Sequence, residues 1–139
     1  MANIGFQGPA DLTLDSKGRV AMPARHREVL GTMGVSKLTV TKHPHGCLLV
    51  FPPAGVAALP MESAGWRRLF IGNATEIEID GSSRMLIAPE LREFADLSRD
   101  VIMLGMGSCL ELWDKRRYLD QEAQVTASPM PESIRNFIL

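Results

Sequence analysis

With 139 residues the chain has the length of one domain, and 45% hydrophobic against 22% charged residues is an ordinary globular balance that argues against disorder. Its apolar runs fall far short of the roughly 20 residues that span a bilayer, and MANIGFQGPADLTL lacks the basic and apolar segments of a secretion signal, so none is expected. A net charge of −1 gives no chain-wide attraction to nucleic acid, so any such contact must come from a local patch.

In chain order, Leu12 and Leu14 alternate with polar neighbours as in a half-buried strand, and Asp15-Ser16-Lys17-Gly18 reads as a turn. Arg19 to Met22 resumes as a strand. Pro23 suits the first position of a helix, where its missing N–H costs nothing, and that helix is expected to run to about Leu30. A loop from Gly31 to Ser36 leads to a hairpin, Lys37 to Lys42 and Cys47 to Phe51, with Pro44-His45-Gly46 at its tip. A short helix is expected around Trp66-Arg67-Arg68-Leu69-Phe70.

The same order then repeats: a strand from Thr75 to Asp80, a turn at Gly81-Ser82-Ser83, a strand from Arg84 to Ala88, and a helix opened by Pro89. A second hairpin joins Val101–Leu104 to Cys109–Trp113 across Gly105-Met106-Gly107-Ser108. Asp114 is the expected N-cap of a helix over Lys115 to Gln124, and the tail from Ala127, with Pro129 and Pro131, is expected to have little order.

The repetition is close at residue level. LDSKGRVAMPARHRE at 14–28 returns as IDGSSRMLIAPELRE at 79–93, so Asp15, Arg19 and Arg27 recur 65 positions on as Asp80, Arg84 and Arg92. Cys47-Leu48-Leu49-Val50-Phe51 recurs 62 positions on as Cys109-Leu110-Glu111-Leu112-Trp113. Four short strands per unit cannot shield both faces and both edges, whereas eight in pseudo-twofold pairing can close a barrel. The expected architecture is one domain over 1–139, mainly β with short helices (α+β). Its first repeat covers 8–53, a linker 54–72, the second repeat 73–116, and a C-terminal helix and tail 117–139. The two cysteines sit at equivalent apolar strand positions and are expected to stay reduced.

The main constellation is the repeated Asp-x-x-x-Arg. Locally, an acid at a turn's first position bonds the turn backbone and the arginine four residues on. Functionally, the same acid holds the arginine at a rigid tip, where it meets phosphates or a guanine edge. The two readings are compatible, since a carboxylate that orients an arginine aids recognition. From Asp15 to Lys42 six Lys/Arg face two acids, giving +4, while Asp80 to Glu93 carries two Arg and three acids, giving −1. Lys17, Gly18 and Arg19 therefore form the expected contact, with Arg25 and Arg27 behind them and Arg84 in the weaker second copy. Asp15 and Asp80 orient the arginines. His43, His45 and Cys47 share one hairpin tip but do not complete a metal site, so no metal or cofactor is expected. No acid/base or nucleophile arrangement suggests an enzyme or a small-molecule substrate.

The chain resembles the MraZ family of bacterial transcriptional regulators, built from two tandem AbrB-like units. The resemblance rests on Phe6, Gly8, LDSKGRVAMP with Arg27-Glu28, the Cys47-Leu48-Leu49 strand and Arg68-Leu69-Phe70-Ile71-Gly72-Asn73-Ala74. It continues through IDGSSRMLIAPELREFADL and Val101–Gly105 into Leu110-Glu111-Leu112-Trp113-Asp114, about nine-tenths of the chain. It implies a swapped-hairpin barrel of the AbrB-like or double-psi type and a ring-shaped homo-oligomer. It also implies binding to direct repeats in double-stranded DNA ahead of the family's own gene, in the division and cell-wall cluster. Repression is the expected sense, and a cytoplasmic, nucleoid-associated location follows, without a membrane. The alternative is an AbrB-like oligomerisation or antitoxin-type protein–protein scaffold. One departure is that Ser83 stands where the motif has glycine; if that position needs positive φ, serine is strained by about 1 kcal/mol or more, unless Gly81 takes over the turn.

Overall fold

The computed structural model describes residues 5–53 and 62–138, so the part of the linker at 54–61 lies outside the described residues. The first half of the chain forms β1 (Phe6–Thr13), β2 (Arg19–Ala21), α1 (Ala24–Met33), β3 (Lys37–Lys42) and β4 (Leu48–Phe51). After α2 (Ala64–Phe70) the order recurs as β5 (Thr75–Glu78), β6 (Arg84–Leu86), α3 (Pro89–Phe94), β7 (Asp100–Gly107) and β8 (Leu110–Asp114). Two further helices follow, α4 (Lys115–Ala127) and α5 (Glu132–Ile138).

Six strands make one antiparallel sheet in the order β1-β7-β8-β4-β3-β5, and β2 pairs with β6 in a separate ribbon. The order is palindromic under exchange of the repeats. The first strand of each repeat pairs with the third strand of the other, β1 with β7 and β5 with β3. Two pairings lie on the pseudo-twofold axis itself. Val20 faces Met85 in the ribbon, and Leu49 faces Glu111 between β4 and β8. These are the 65- and 62-residue offsets of the sequence repeat, so each of these residues pairs with its own counterpart.

Single backbone bonds tie the ribbon in, and they too come in related pairs. Met22 N–H donates to Ser83 O at 2.8 Å and Ile87 N–H to Gly18 O at 2.9 Å. Leu14 N–H donates to Arg99 O at 2.8 Å and Ile79 N–H to Ser36 O at 3.2 Å. One core lies between ribbon, sheet and the two repeat helices. It takes Val20, Met22, Met85 and Ile87 from the ribbon side, Leu30 and Leu91 from α1 and α3, and Leu38, Leu48, Met103, Leu110 and Leu112 from the sheet. The expected fold class, mainly β with short helices, is the one observed.

Several boundaries differ from expectation for identifiable reasons. Strand β1 begins at Phe6 although it contains Gly8 and Pro9. It is an edge strand, where the missing proline N–H is tolerated. Helix α1 runs past Leu30 to Met33, because its terminating glycine is Gly34, at φ 70°, rather than Gly31. Within the tail, Pro131 directly precedes the first turn of α5, where proline is at home. Asp114 caps α4 as expected, accepting from Arg117 N–H.

His26 on α1 is fully buried, edge-on to Phe6 at 5.7 Å, and neither ring nitrogen has a hydrogen-bond partner. Burial, reinforced by the charge on Arg25, pushes its pKa below the ordinary 6.5. The unfolded chain therefore takes up this proton first. Stability is full above pH 6.5 and falls as pH drops from there towards the folded value, by up to about 1.4 kcal/mol per unit for one proton. Urea midpoints measured from pH 7.5 down to 5 should fall less in His26→Leu than in the parent. His43, also held low by burial, keeps part of the dependence. Parallel profiles for the two chains would contradict this account of His26.

Candidate nucleic-acid interface

The two Asp-x-x-x-Arg motifs fold identically, bond for bond. Asp15 Oδ1 accepts from the backbone N–H groups of Lys17 at 2.9 Å and Arg19 at 2.8 Å, and Oδ2 accepts from Arg19 Nε at 2.7 Å. Asp80 accepts from Ser82 N–H at 2.8 Å, Arg84 N–H at 2.9 Å and Arg84 Nε at 3.1 Å. The Arg19 backbone N–H is the chief cause holding the Asp15 carboxyl below its usual range, and the Arg84 N–H does the same for Asp80; partial desolvation opposes both. Each carboxylate stays ionised at neutral pH. Its contribution to the turn is complete above pH 3.8 and is lost only as pH falls through the lowered value.

Each arginine is thus held through Nε, leaving its two terminal nitrogens without a hydrogen-bond partner among the described residues. The ribbon then decides where they go. Val20 and Met85 face each other and are buried, so Arg19, Ala21, Arg84 and Leu86 share the opposite face. Arg19 is opposite Leu86 and Arg84 opposite Ala21, which makes the two arginines diagonal neighbours, with backbones about 7–8 Å apart. Both expected arginines are therefore brought together on one outward face. The two turns lie at its opposite ends.

The sequence reading missed one member of this site and misplaced another. Arg92 of α3 lies directly over the first turn: a Cβ added to Gly18 would come 2.7 Å from Arg92 Cζ and 2.8 Å from its Nε, which donates to Ile87 O at 3.0 Å. Its counterpart Arg27 lies against the second turn, where Nη1 donates to Ser83 Oγ at 3.2 Å. The helix arginines are exchanged between repeats, a consequence of the swap that chain order hides. The first tip therefore gathers Lys17, Arg19 and Arg92 around Asp15, and the second Arg84 and Arg27 around Asp80. The first remains the more positive, by a smaller margin than local sequence charge implied. Arg25 is committed elsewhere, with Nη2 donating to Pro9 O at 2.7 Å over Gly8.

Gly18 and Ser83 both adopt left-handed backbone, φ 84° and 62°, so the serine carries the strain expected of it. Ser83→Gly is expected to stabilise the protein by about 1 kcal/mol. Gly18→Ser should cost more than that, because its Cβ also has to displace Arg92. Thermal unfolding of the two variants checks both signs. A loss of stability in Ser83→Gly would mean that the Ser83–Arg27 bond outweighs the strain.

Cys47 and Cys109 are free, and burial pushes both thiols above their ordinary range. Trp113 is buried while Trp66 is half exposed and stacked on Phe70 at 5.9 Å. No described helix is long and apolar enough to cross a membrane.

The family model described as "MraZ protein, putative antitoxin-like" matches residues 6–56 and 70–136. The chain is 56% identical to the transcriptional regulator MraZ of Methylibium petroleiphilum strain PM1 over 144 aligned positions, covering 99% of each chain. It is 53% identical to the transcriptional regulator MraZ of Leptothrix cholodnii, again over 99% of each. For the one from Polaromonas sp. strain JS666 the identity is 47%, over 95% of this chain and 98% of the other. These relatives are named as regulators rather than as enzymes, and both turns and the ribbon between them lie inside the matched segments: the chain belongs to the MraZ family.

Proposed function

We propose that this chain is a DNA-binding transcriptional regulator, without enzymatic activity, that acts as a ring-shaped homo-oligomer on direct repeats near promoters. The genes concerned are those of the division and cell-wall cluster, including its own, and repression is the sense of the control; the place of action is the bacterial cytoplasm, at the nucleoid. The relatives' names support the regulatory role. The observation that carries the reading is the outward ribbon face, on which Arg19 and Arg84 stand as diagonal neighbours, each oriented by an aspartate. A two-stranded ribbon is of a size to enter the major groove. Guanidinium groups with free terminal nitrogens suit guanine edges or phosphates.

One ribbon offers few cations, so a single subunit binds weakly. Several subunits on evenly spaced repeats gain effective concentration, and a chain of net charge −1 adds little non-specific attraction. Full-length protein should therefore bind the complete repeat array from upstream of its own gene at least about 100-fold more tightly than a single repeat. Fluorescence anisotropy on array, single-repeat and scrambled duplexes checks this. Equal affinity for all three would exclude sequence-specific regulation.

The second reading, an oligomerisation or antitoxin-type scaffold, is favoured by the groove beside the first turn. That groove is lined by Ile77, Leu86, Ile87 and Pro89, with Leu86 more than half exposed. A scaffold of that kind would assemble without preferring any of the three duplexes.

A further inference from the structure

The hairpin tip that joins β3 to β4 carries His43 and Cys47 at its two ends. It is closed by His43 N–H donating to Cys47 O and Gly46 N–H to His43 O, both at 3.0 Å, with Gly46 in left-handed backbone at φ 88°. In sequence these two side chains lack a third partner. The sheet supplies it. Because β4 pairs with β8 and Leu49 faces Glu111, the Glu111 carboxylate arrives beside the tip from the other repeat. One ligand atom from each of His43, Cys47 and Glu111 lies within 4.8 Å of the other two. His43 Nε2 and Glu111 Oε2 are 3.5 Å apart.

The cluster has the features of a built site. Cys47 is fully buried, and the side chains of His43 and Glu111 are 18% and 13% exposed. The second Glu111 oxygen accepts from Trp113 Nε1 at 2.9 Å, which fixes the carboxylate as outer-shell bonds fix metal ligands. Among the described residues no lysine or arginine forms an ion pair with Glu111. A mostly buried carboxylate without a cation is an unusual expense in a core, and a bound cation removes it.

We propose that His43, Cys47 and Glu111 bind a divalent transition-metal ion of Zn²⁺ type. One imidazole nitrogen, one thiolate and one carboxylate oxygen suit a borderline-soft ion in tetrahedral geometry, with the fourth position open to water. Metal–ligand bonds of about 2.0–2.3 Å place ligand atoms about 3.3–3.8 Å apart, so the cluster contracts by about 1 Å on binding. The Cys47 S–H proton leaves to solvent as the metal–sulfur bond forms. The imidazole proton moves to Nδ1, so His45 N–H, which donates to that atom at 3.0 Å, turns away.

The repeat provides an internal control. Sixty-two positions on, His43 becomes Gly105 and Cys47 becomes Cys109, while the counterpart of Glu111 is Leu49, so the mirror-image site has kept only its cysteine. Full-length protein freed of metal by a chelator and titrated with Co²⁺ should bind one equivalent. Binding should produce a thiolate-to-cobalt charge-transfer band and tetrahedral visible bands that Zn²⁺ abolishes. Cys47→Ser should lose the charge-transfer band, Glu111→Gln should weaken Co²⁺ binding at least about tenfold, and Cys109→Ser should leave both unchanged. Circular dichroism reports whether the Cys47 variant is folded; if it is not, Glu111→Gln, altered at an already partly exposed side chain, decides the matter. Absence of the band in the parent protein would overturn the proposal, as would its persistence in folded Cys47→Ser or undiminished binding in Glu111→Gln.

Discussion

Gly105→Ala should be the most damaging glycine-to-alanine change among the described residues. A Cβ at Gly105 would lie 2.0 Å from the backbone N of Gln7 and 2.5 Å from both Gln7 Cα and Phe6 C. The obstacles are main-chain atoms of β1, held in an eight-residue ladder against β7 in which Gly105 faces Gly8. No side-chain rotation relieves the clash, so the two strands must separate locally. Overpacking of this kind costs about 3 kcal/mol, corresponding to roughly 10 °C in the unfolding midpoint of a chain this size. Phe6, fully buried at the start of β1, is then pulled from the core along with the strand. Thermal and urea unfolding of the variant check the expectation, and a midpoint within 2 °C of the parent, a margin of about half a kcal/mol, would contradict the close strand approach.

Arg19→Ala should weaken binding to the repeat array by at least about tenfold for each ribbon engaged, the loss expected for one guanidinium at a base edge or phosphate pair. The fold should tolerate the change. Arg19 lies on the solvent face of the ribbon, and its side-chain bond to Asp15 is partly exposed, so stability and subunit number, read by light scattering, should hold. Arg84→Ala should cost less, because its tip has Ser82 where the first has Lys17 and carries a strained serine in place of glycine. Yet Arg84 stands on the same face as Arg19. Some loss is therefore expected from both, and the order of the two losses is the informative result.

Much of this was legible because the repeat is written in the chain. The 65-residue offset that aligns Asp15 with Asp80 is the offset that pairs Val20 with Met85, and the equivalence of Ser83 with Gly18 raised the question of a left-handed serine, which the turn answers with φ 62° at Ser83. What stayed hidden depends on pairing between distant segments. Local charge counting gave Arg27 to the first turn, whereas the swap of β1 onto β7 and β5 onto β3 carries it to Ser83 and puts Arg92 over Gly18. Glu111 could not be associated with His43 and Cys47 without knowing that β8 runs beside β4. Proline and glycine misled in the other direction: Gly105 and Gly107 continue β7 rather than forming its tip, and Pro131 leads into a helix.

In the proposed function the ribbon face touches DNA directly, with the first turn foremost. The dependence of array affinity on salt concentration, measured for the parent, Arg19→Ala and Arg84→Ala, tests it most directly. If the arginines meet phosphates and bases, the parent should show a steep fall of log affinity with log salt. Arg19→Ala should flatten that slope by about one unit for each ribbon engaged on phosphate, and Arg84→Ala should flatten it less. Parent-like slope and affinity in Arg19→Ala, with the oligomer intact, would show that the DNA is held by some other surface.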